Sequence, residues 1–347
     1  MLKYLEMIID RKKGGTVLQE APVSSQEYQR KAYQKAVFPV SAVLFAGLLM
    51  LAVNFAESTV IYGELLARFG DVFRESEWIR QLTEIAMNLL LILLPGVFLL
   101  AVFRKNPLSP FAGPLSTPKY PFLFVPMCIG ALYALNFSVS LIFGDLLTPF
   151  DRAIDPSSYP VTLPGMLLYM AQIAIFPALF EEWLFRGIML RQLIPSVGKW
   201  PAVVLSAFVF GLMHLNPAQS VFAFAFGLFV GYAYIQTGSI WFGVLIHMLN
   251  NAISCCAGYW TDLFGLEAVE LAFGSFLIVM MVFGIVSLFF YQRRMREVGI
   301  RTRRTREERL LPDGKTVFRA ALHSPMLYLM VAAYGILLWL YYLYTPS

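Results

Sequence analysis

Apolar residues run along this chain in long blocks, and the polar positions gather between them. The blocks fall at roughly 36–56, 83–103, 121–144, 163–190, 200–214, 217–236, 239–258, 266–291 and 325–344. Most are long enough to cross a hydrocarbon core of about 30 Å, which takes roughly 20 residues of helix. Lipid offers the backbone no hydrogen-bond partners, so spans of this kind must satisfy themselves as helices. The pattern predicts an all-α, polytopic transmembrane helix bundle of about nine spans, built as one continuous domain. Between the first two blocks, the stretch "GELLARFGDVFRESEWIRQL" has helical periodicity and reads as a helix along the outer surface. The opening "MLKYLEMIIDRKK" puts Leu2, Leu5, Ile8 and Ile9 on one side of a short interfacial helix and its lysines on the other.

Composition agrees. The chain is 58% hydrophobic and 14% charged, with a mean hydropathy of +0.65, against about 25% charged residues in a soluble domain. No soluble enzymatic domain is left over. The polar segment before the first block is too long for the n-region of a signal peptide and lacks a small-residue cleavage site, so that block is expected to stay as a span. Cys128, Cys255 and Cys256 sit in apolar surroundings and suggest neither a disulfide framework nor a zinc spacing.

Charge orients the bundle. Lys3, Arg11, Lys12, Lys13, Arg30, Lys31 and Lys35 precede the first block, and ten basic residues lie between Arg293 and Arg319. With an odd number of crossings and the N-terminus inside, these join Arg104, Lys105, Lys119, Arg191 and Lys199 on the cytoplasmic side. Only Arg68, Arg74, Arg80 and Arg152 fall outside. The segregation predicts a cytoplasmic N-terminus. The net charge of +5 then belongs to segments facing anionic lipid headgroups and calls for no nucleic-acid partner. Four regions are expected: a cytoplasmic segment (1–35), N-terminal helices with the outer connection (36–160), core helices carrying the polar residues described next (161–260), and C-terminal helices with the basic loop (261–347). "GLFVG", Gly227 to Gly231, offers a small-residue face for a close neighbouring helix or a second copy.

The fourth block carries "ALFEEWLFRG", with Glu181, Glu182 and Arg186 inside an apolar run. Each charge at a span centre costs roughly 2.5–3.5 kcal/mol, so the three require compensation. Glu182 and Arg186 are spaced i,i+4 and predict an ion pair. Glu181 points about 100° away, with no partner in its own helix. Pro177 lacks an N–H, which kinks the span and frees a carbonyl. The chain has three histidines: His214 follows Phe210 by one turn, His247 precedes Asn251 by one turn, and His323 lies beside the basic loop as an interfacial residue. At 1.5 Å per residue, Glu181, His214, His247 and Asn251 lie about 15, 21, 12 and 18 Å from the cytoplasmic ends of their spans. Three helices thus bring polar groups to one layer.

A carboxylate and a neutral imidazole can hold one water, with the carboxylate as general base. An imidazole N–H and an amide one turn apart can donate to a developing oxyanion. The set suggests water attack on a carbonyl with no covalent nucleophile. No serine lies in a G-x-S-x-G turn, and no span carries paired aspartates. Glu181, His214 and His247 have the ligand types of a catalytic zinc, but the H-E-x-x-H helix is absent. No cofactor or metal is expected.

At these residues the chain resembles the CAAX-processing and bacteriocin-processing family of intramembrane glutamate endopeptidases, in its bacterial form. The resemblance rests on E-E-x-x-x-R (Glu181, Glu182, Arg186), F-x-x-x-H (Phe210, His214) and H-x-x-x-N (His247, Asn251), with "FRG", "HLNP" and "TGSIWFGVLIH" around them. It covers roughly 165–260. It implies that Glu181 with His214 activates water, that Glu182 with Arg186 orients the site, and that His247 and Asn251 stabilise the oxyanion. The expected function is hydrolysis of a peptide bond in a peptide or membrane-anchored protein, by an integral protein of the bacterial cytoplasmic (inner) membrane. The alternative is a non-catalytic membrane adaptor or bacteriocin self-immunity protein. An ion-coupled transporter is disfavoured because the matched region shows no inverted repeat.

Overall fold

The computed structural model describes residues 25–111, 120–147, 163–297 and 314–344. The expected interfacial helix at the N-terminus, Lys119, Arg152 and the middle of the basic loop lie outside these residues. Among the described residues 92% are helical and none lies in a strand, as the all-α reading requires. The helices are α1 (Ser25–Phe55), α2 (Tyr62–Glu75), α3 (Glu77–Phe103), α4 (Pro121–Leu147), α5 (Leu163–Met170), α6 (Phe176–Glu182), α7 (Arg191–Val197), α8 (Lys199–Leu212), α9 (Pro217–Thr237), α10 (Ile240–Phe264), α11 (Leu266–Glu297), α12 (Gly314–Leu322) and α13 (Pro325–Tyr344). Wider π-helical turns occupy Ala56–Ile61, Ala171–Ile175 and Trp183–Leu190.

Every predicted apolar block lies on helix, and the outer connection forms α2 and the start of α3. Five helices are long and apolar enough to cross a membrane, and the α12–α13 pair, bent by 65°, makes a sixth if it counts as one span. The three remaining blocks are not regular spans. Helix α8 has 14 residues, about 21 Å at the helical rise, and the apolar part of α10 is similarly short, Ile240–Cys256. The run from Leu163 to Val197 is broken by two π-turns around its charges.

Local chemistry sets the boundaries. Ser76 separates α2 from α3 with extended backbone, and its hydroxyl accepts from the Ile79 N–H. Asn216 caps α9 in the same way through Gln219, with Pro217 at the first helical position, where no N–H is missed. Gly238, at φ +69°, ends α9 in the left-handed region that admits glycine without penalty.

Helix α1 runs through the middle of the bundle, with Ala36, Val40, Val43, Leu44 and Met50 fully buried. It packs on α3, α7, α8, α12 and α13. Helix α4 lies against α11, where Gly130 and Gly284 meet. A Cβ on either glycine would come within 2.5 Å of the other's Cα, so only backbone fits at this crossing. The small face Gly227–Gly231 is used within the chain: it packs on Ala207 and Val203 of α8. Behind these pairs, α6 and its flanking π-turns are enclosed by α3, α8, α9 and α10.

Candidate active site

The site grows from a helix that cannot stay regular. Pro177 has no N–H to give the Ile173 carbonyl four residues before it. The backbone widens over Ala171–Ile175, where the Phe176 N–H reaches back to the Ala171 carbonyl. The freed Ile173 carbonyl accepts from the Asn251 side-chain nitrogen at 3.1 Å. The second π-turn begins at Trp183, and its Phe185 carbonyl accepts from the Ser206 hydroxyl at 3.0 Å. Between the two turns lies α6, seven residues long, ending in Glu181 and Glu182.

Both carboxylates are buried, Glu181 at 8% and Glu182 at 0% exposure, and Arg186 at 2%. The predicted Glu182–Arg186 pair is present: Arg186 Nη1 donates to Glu182 Oε1 at 2.8 Å. Arg186 Nη2 donates to the Gly227 carbonyl at 3.2 Å, and the guanidinium lies 5.0 Å from the Phe210 ring centre. Gly243 of α10 brings its backbone against Glu182, so that a Cβ there would sit 2.8 Å from Oε2.

His247 joins the two glutamates. Its Nδ1 lies 3.1 Å from Glu182 Oε1, and its Nε2 lies 3.8 Å from Glu181 Oε2. Glu181 Oε2 and Glu182 Oε2 have no hydrogen-bond partner among the described residues. Glu181, expected beside His214, faces His247. His214 stands just past the end of α8, its Nδ1 2.9 Å from the Phe210 carbonyl. A carbonyl only accepts, so Nδ1 carries the hydrogen and Nε2 of the neutral ring offers a lone pair.

Phe210 is the common wall. Its buried ring stands edge-on to His214 at 5.1 Å, to His247 at 6.0 Å and to Phe185 at 4.9 Å. Phe226 closes the other side of His247 at 4.9 Å. Asn251 is turned towards Ile173, and its carbonyl oxygen accepts from Asn250 at 3.1 Å. Helical spacing alone points Asn250 elsewhere, yet its side chain fixes the orientation of the Asn251 amide.

At the end of the site towards Arg191, a strap of backbone from α3 closes over the helix. The carbonyls of Pro107, Ser109 and Phe111 accept from Trp183 Nε1 (2.9 Å), Arg191 Nη1 (2.8 Å) and Trp241 Nε1 (3.4 Å). Pro110 lies against Gly187, where a Cβ would come within 2.5 Å. No pattern of residues predicts this strap, since it is held through its backbone carbonyls. A half-buried pair was also missed: Gln172 in the first π-turn donates to Glu84 of α3. The available signals were an acid just inside an apolar block and the lone amide side chain between Leu163 and Phe180. His323, away from the site, meets the Tyr33 hydroxyl at 3.3 Å.

Among the described residues, no group of three His, Cys, Asp or Glu side chains is arranged to hold a metal ion.

Residues 163–253 match the family of type II CAAX prenyl endopeptidases described as Rce1-like. The matched segment contains all six site residues. An uncharacterised 24.3 kDa protein of Escherichia coli is 28% identical over 139 residues, which cover 39% of this chain and 64% of that protein. The chain therefore spans less than two thirds of this relative. No solved structure matches.

Proposed function

With residues 163–253 CAAX protease-like, we propose that the chain is an intramembrane endopeptidase of the glutamate type. It hydrolyses a peptide bond of a peptide or membrane-anchored protein with activated water. The observation that carries this reading is the buried cluster of Glu181, Glu182, Arg186 and His247, in which Glu181 Oε2 accepts no hydrogen bond from the described residues. A carboxylate kept in an apolar helix with a free oxygen is suited to take a proton from water.

The steps follow from the donor and acceptor inventory. Water is held by Glu181 and by the Nε2 lone pair of His214. Glu181 takes one proton as the water oxygen attacks the carbonyl carbon. The oxyanion receives a hydrogen bond from His247 Nε2. Because Nδ1 faces the Glu182 carboxylate, donation from Nε2 requires the imidazolium, which balances the second carboxylate as Arg186 balances the first. The second amide hydrogen of Asn251 completes the oxyanion hole. Glu181 then returns its proton to the leaving nitrogen as the C–N bond breaks.

The same reading places the basic ends of the helices at the cytoplasmic face of a bacterial inner membrane, with the N-terminus inside and about nine crossings. Three of those crossings are the short or broken helices of the core. Arg191 beside the strap and His323 beside Tyr33 support a common basic side.

The test is hydrolysis of a quenched fluorogenic peptide library by the purified protein, with Glu181→Ala and His214→Ala alongside and a strong chelator in a parallel arm. Cleavage that survives chelation and disappears in both variants is expected. Unchanged turnover by Glu181→Ala overturns the proposal, and a full cellular phenotype from both inactive variants points to the adaptor or immunity reading.

A further inference from the structure

Glu84 is an acid within the apolar span Trp78–Phe103 of α3, outside the segment shared with the endopeptidase family. Ionisable residues kept inside spans mark functional positions, and their partner tells which. Here the partner is Gln172, 88 positions further along the chain, whose Nε2 donates to Glu84 Oε2. Gln172 is 4% exposed and belongs to the π-turn Ala171–Ile175.

That turn decides where the two site glutamates point. It is followed directly by α6, which is too short to absorb a change of direction before Glu181 and Glu182. A regular helix would be locked by its own ladder, but here Pro177 has removed the rung to Ile173. Two neighbouring residues replace it from different helices. The Ile173 carbonyl is tied to Asn251 on α10, and the Gln172 side chain is tied to Glu84 on α3. Each tie holds the turn against one helix, and the two together hold it against α10 and α3.

We propose that Glu84, acting through Gln172, is a positioning residue for Glu181, bracing the proline-induced turn against α3. The inference rests on the hydrolytic reading above, and it assigns a part in the chemistry to a helix outside the family-like core. Glu84 does not touch the reacting atoms; it acts by keeping the carboxylate in line with the water. Misplacement by about 1 Å from a change away from the chemistry can lower turnover by about 10²-fold.

The experiment compares Glu84→Ala, Gln172→Ala, their double variant and the exchanged pair Glu84→Gln with Gln172→Glu. Turnover of the fluorogenic peptide, thermal unfolding in detergent and hydrogen exchange of the peptide covering 163–182 are measured on each. Either single variant is expected to lower kcat by about 10²-fold with KM nearly unchanged, and the double variant to be no worse. The exchanged pair, which restores one donor and one acceptor, should recover most of the loss. Exchange should rise over 163–182 in the single variants and stay constant in α8 and α9. A lower unfolding temperature with kcat intact would make the pair structural only and overturn the proposal. So would unchanged exchange in the turn. The exchange readout needs no proteolysis, so a failure of the hydrolytic reading, seen as Glu181→Ala activity equal to wild type, is distinguishable from a failure of the brace.

Discussion

The Glu182–Arg186 pair allows folding and catalysis to be separated by substitution. Glu182 is fully buried and Arg186 nearly so, with 2.8 Å between the charged atoms. Removing one partner of a buried pair costs about 3–5 kcal/mol, because the other charge stays behind unpaired. Glu182→Ala leaves Arg186 with the Gly227 carbonyl and the Phe210 ring, neither of which neutralises it. Such a loss is a large share of the roughly 5–15 kcal/mol that holds a domain folded. The expected result is a clearly lowered unfolding temperature in detergent and a poor yield. Replacing both residues by apolar ones of similar size, Glu182→Leu with Arg186→Met, should return stability to within about 1–2 kcal/mol of wild type or above it.

That double variant isolates the other task of Glu182. It accepts from His247 Nδ1 at 3.1 Å, and without it the orientation of the imidazole is not maintained. Turnover should therefore stay about 10²–10⁴-fold down, the usual weight of a positioned acid or base, while the protein melts near its normal temperature. A stable single Glu182→Ala variant would refute the burial argument. A double variant with wild-type kcat would refute the claim that Glu182 sets His247, and would leave the pair a matter of packing alone.

Further outcomes follow from the same contacts. Phe210→Ala opens a cavity facing both imidazoles and the guanidinium, and should cost about 3–5 kcal/mol together with most of the peptide hydrolysis; Phe210→Leu should retain more of both. Gly243→Ala places a methyl group 2.8 Å from Glu182 Oε2, and overpacking of about 1–3 kcal/mol should appear in thermal unfolding with a parallel fall in turnover. Pro177→Ala returns an N–H to the Ile173 carbonyl in competition with Asn251, so activity should drop although the helix gains propensity; hydrogen exchange over 163–182 should slow. Gly187→Val should push Pro110 outward and expose Trp183 at the basic end, visible as a red shift of tryptophan emission.

What could be read from the sequence was what short-range geometry decides. The apolar blocks gave the helices, and the i,i+4 spacing gave the Glu182–Arg186 pair. Missing N–H chemistry gave the freed carbonyl at Pro177, but not its partner, since Asn251 lies 78 positions away. A uniform rise of about 1.5 Å per residue brings four polar residues to one layer, but the two π-turns do not keep that rise. That His247 bridges the two glutamates is not legible in the spacing, because the contact depends on how α10 crosses α6. Counting apolar blocks likewise overstated the number of regular spans, since a block broken by charges or only 14 residues long still looks apolar in sequence. The strap over Trp183 and Arg191 uses backbone carbonyls, which every residue has and no pattern reveals.

The π-turns and the glutamates are parts of one arrangement. A regular helix consumes its backbone groups internally and leaves none for its neighbours. Here each π-turn presents a carbonyl to another helix, Ile173 to Asn251 of α10 and Phe185 to Ser206 of α8. Helix α6, which ends in both carboxylates, is thereby pinned on either side by uncharged donors. Its charges remain free to meet Arg186 and His247. Had the helix been regular, the same fixing would have fallen to the carboxylates themselves, and Glu181 would have had no oxygen left over. Irregularity in the backbone therefore serves the same end as the ion pair: it keeps one buried carboxylate both held and unengaged.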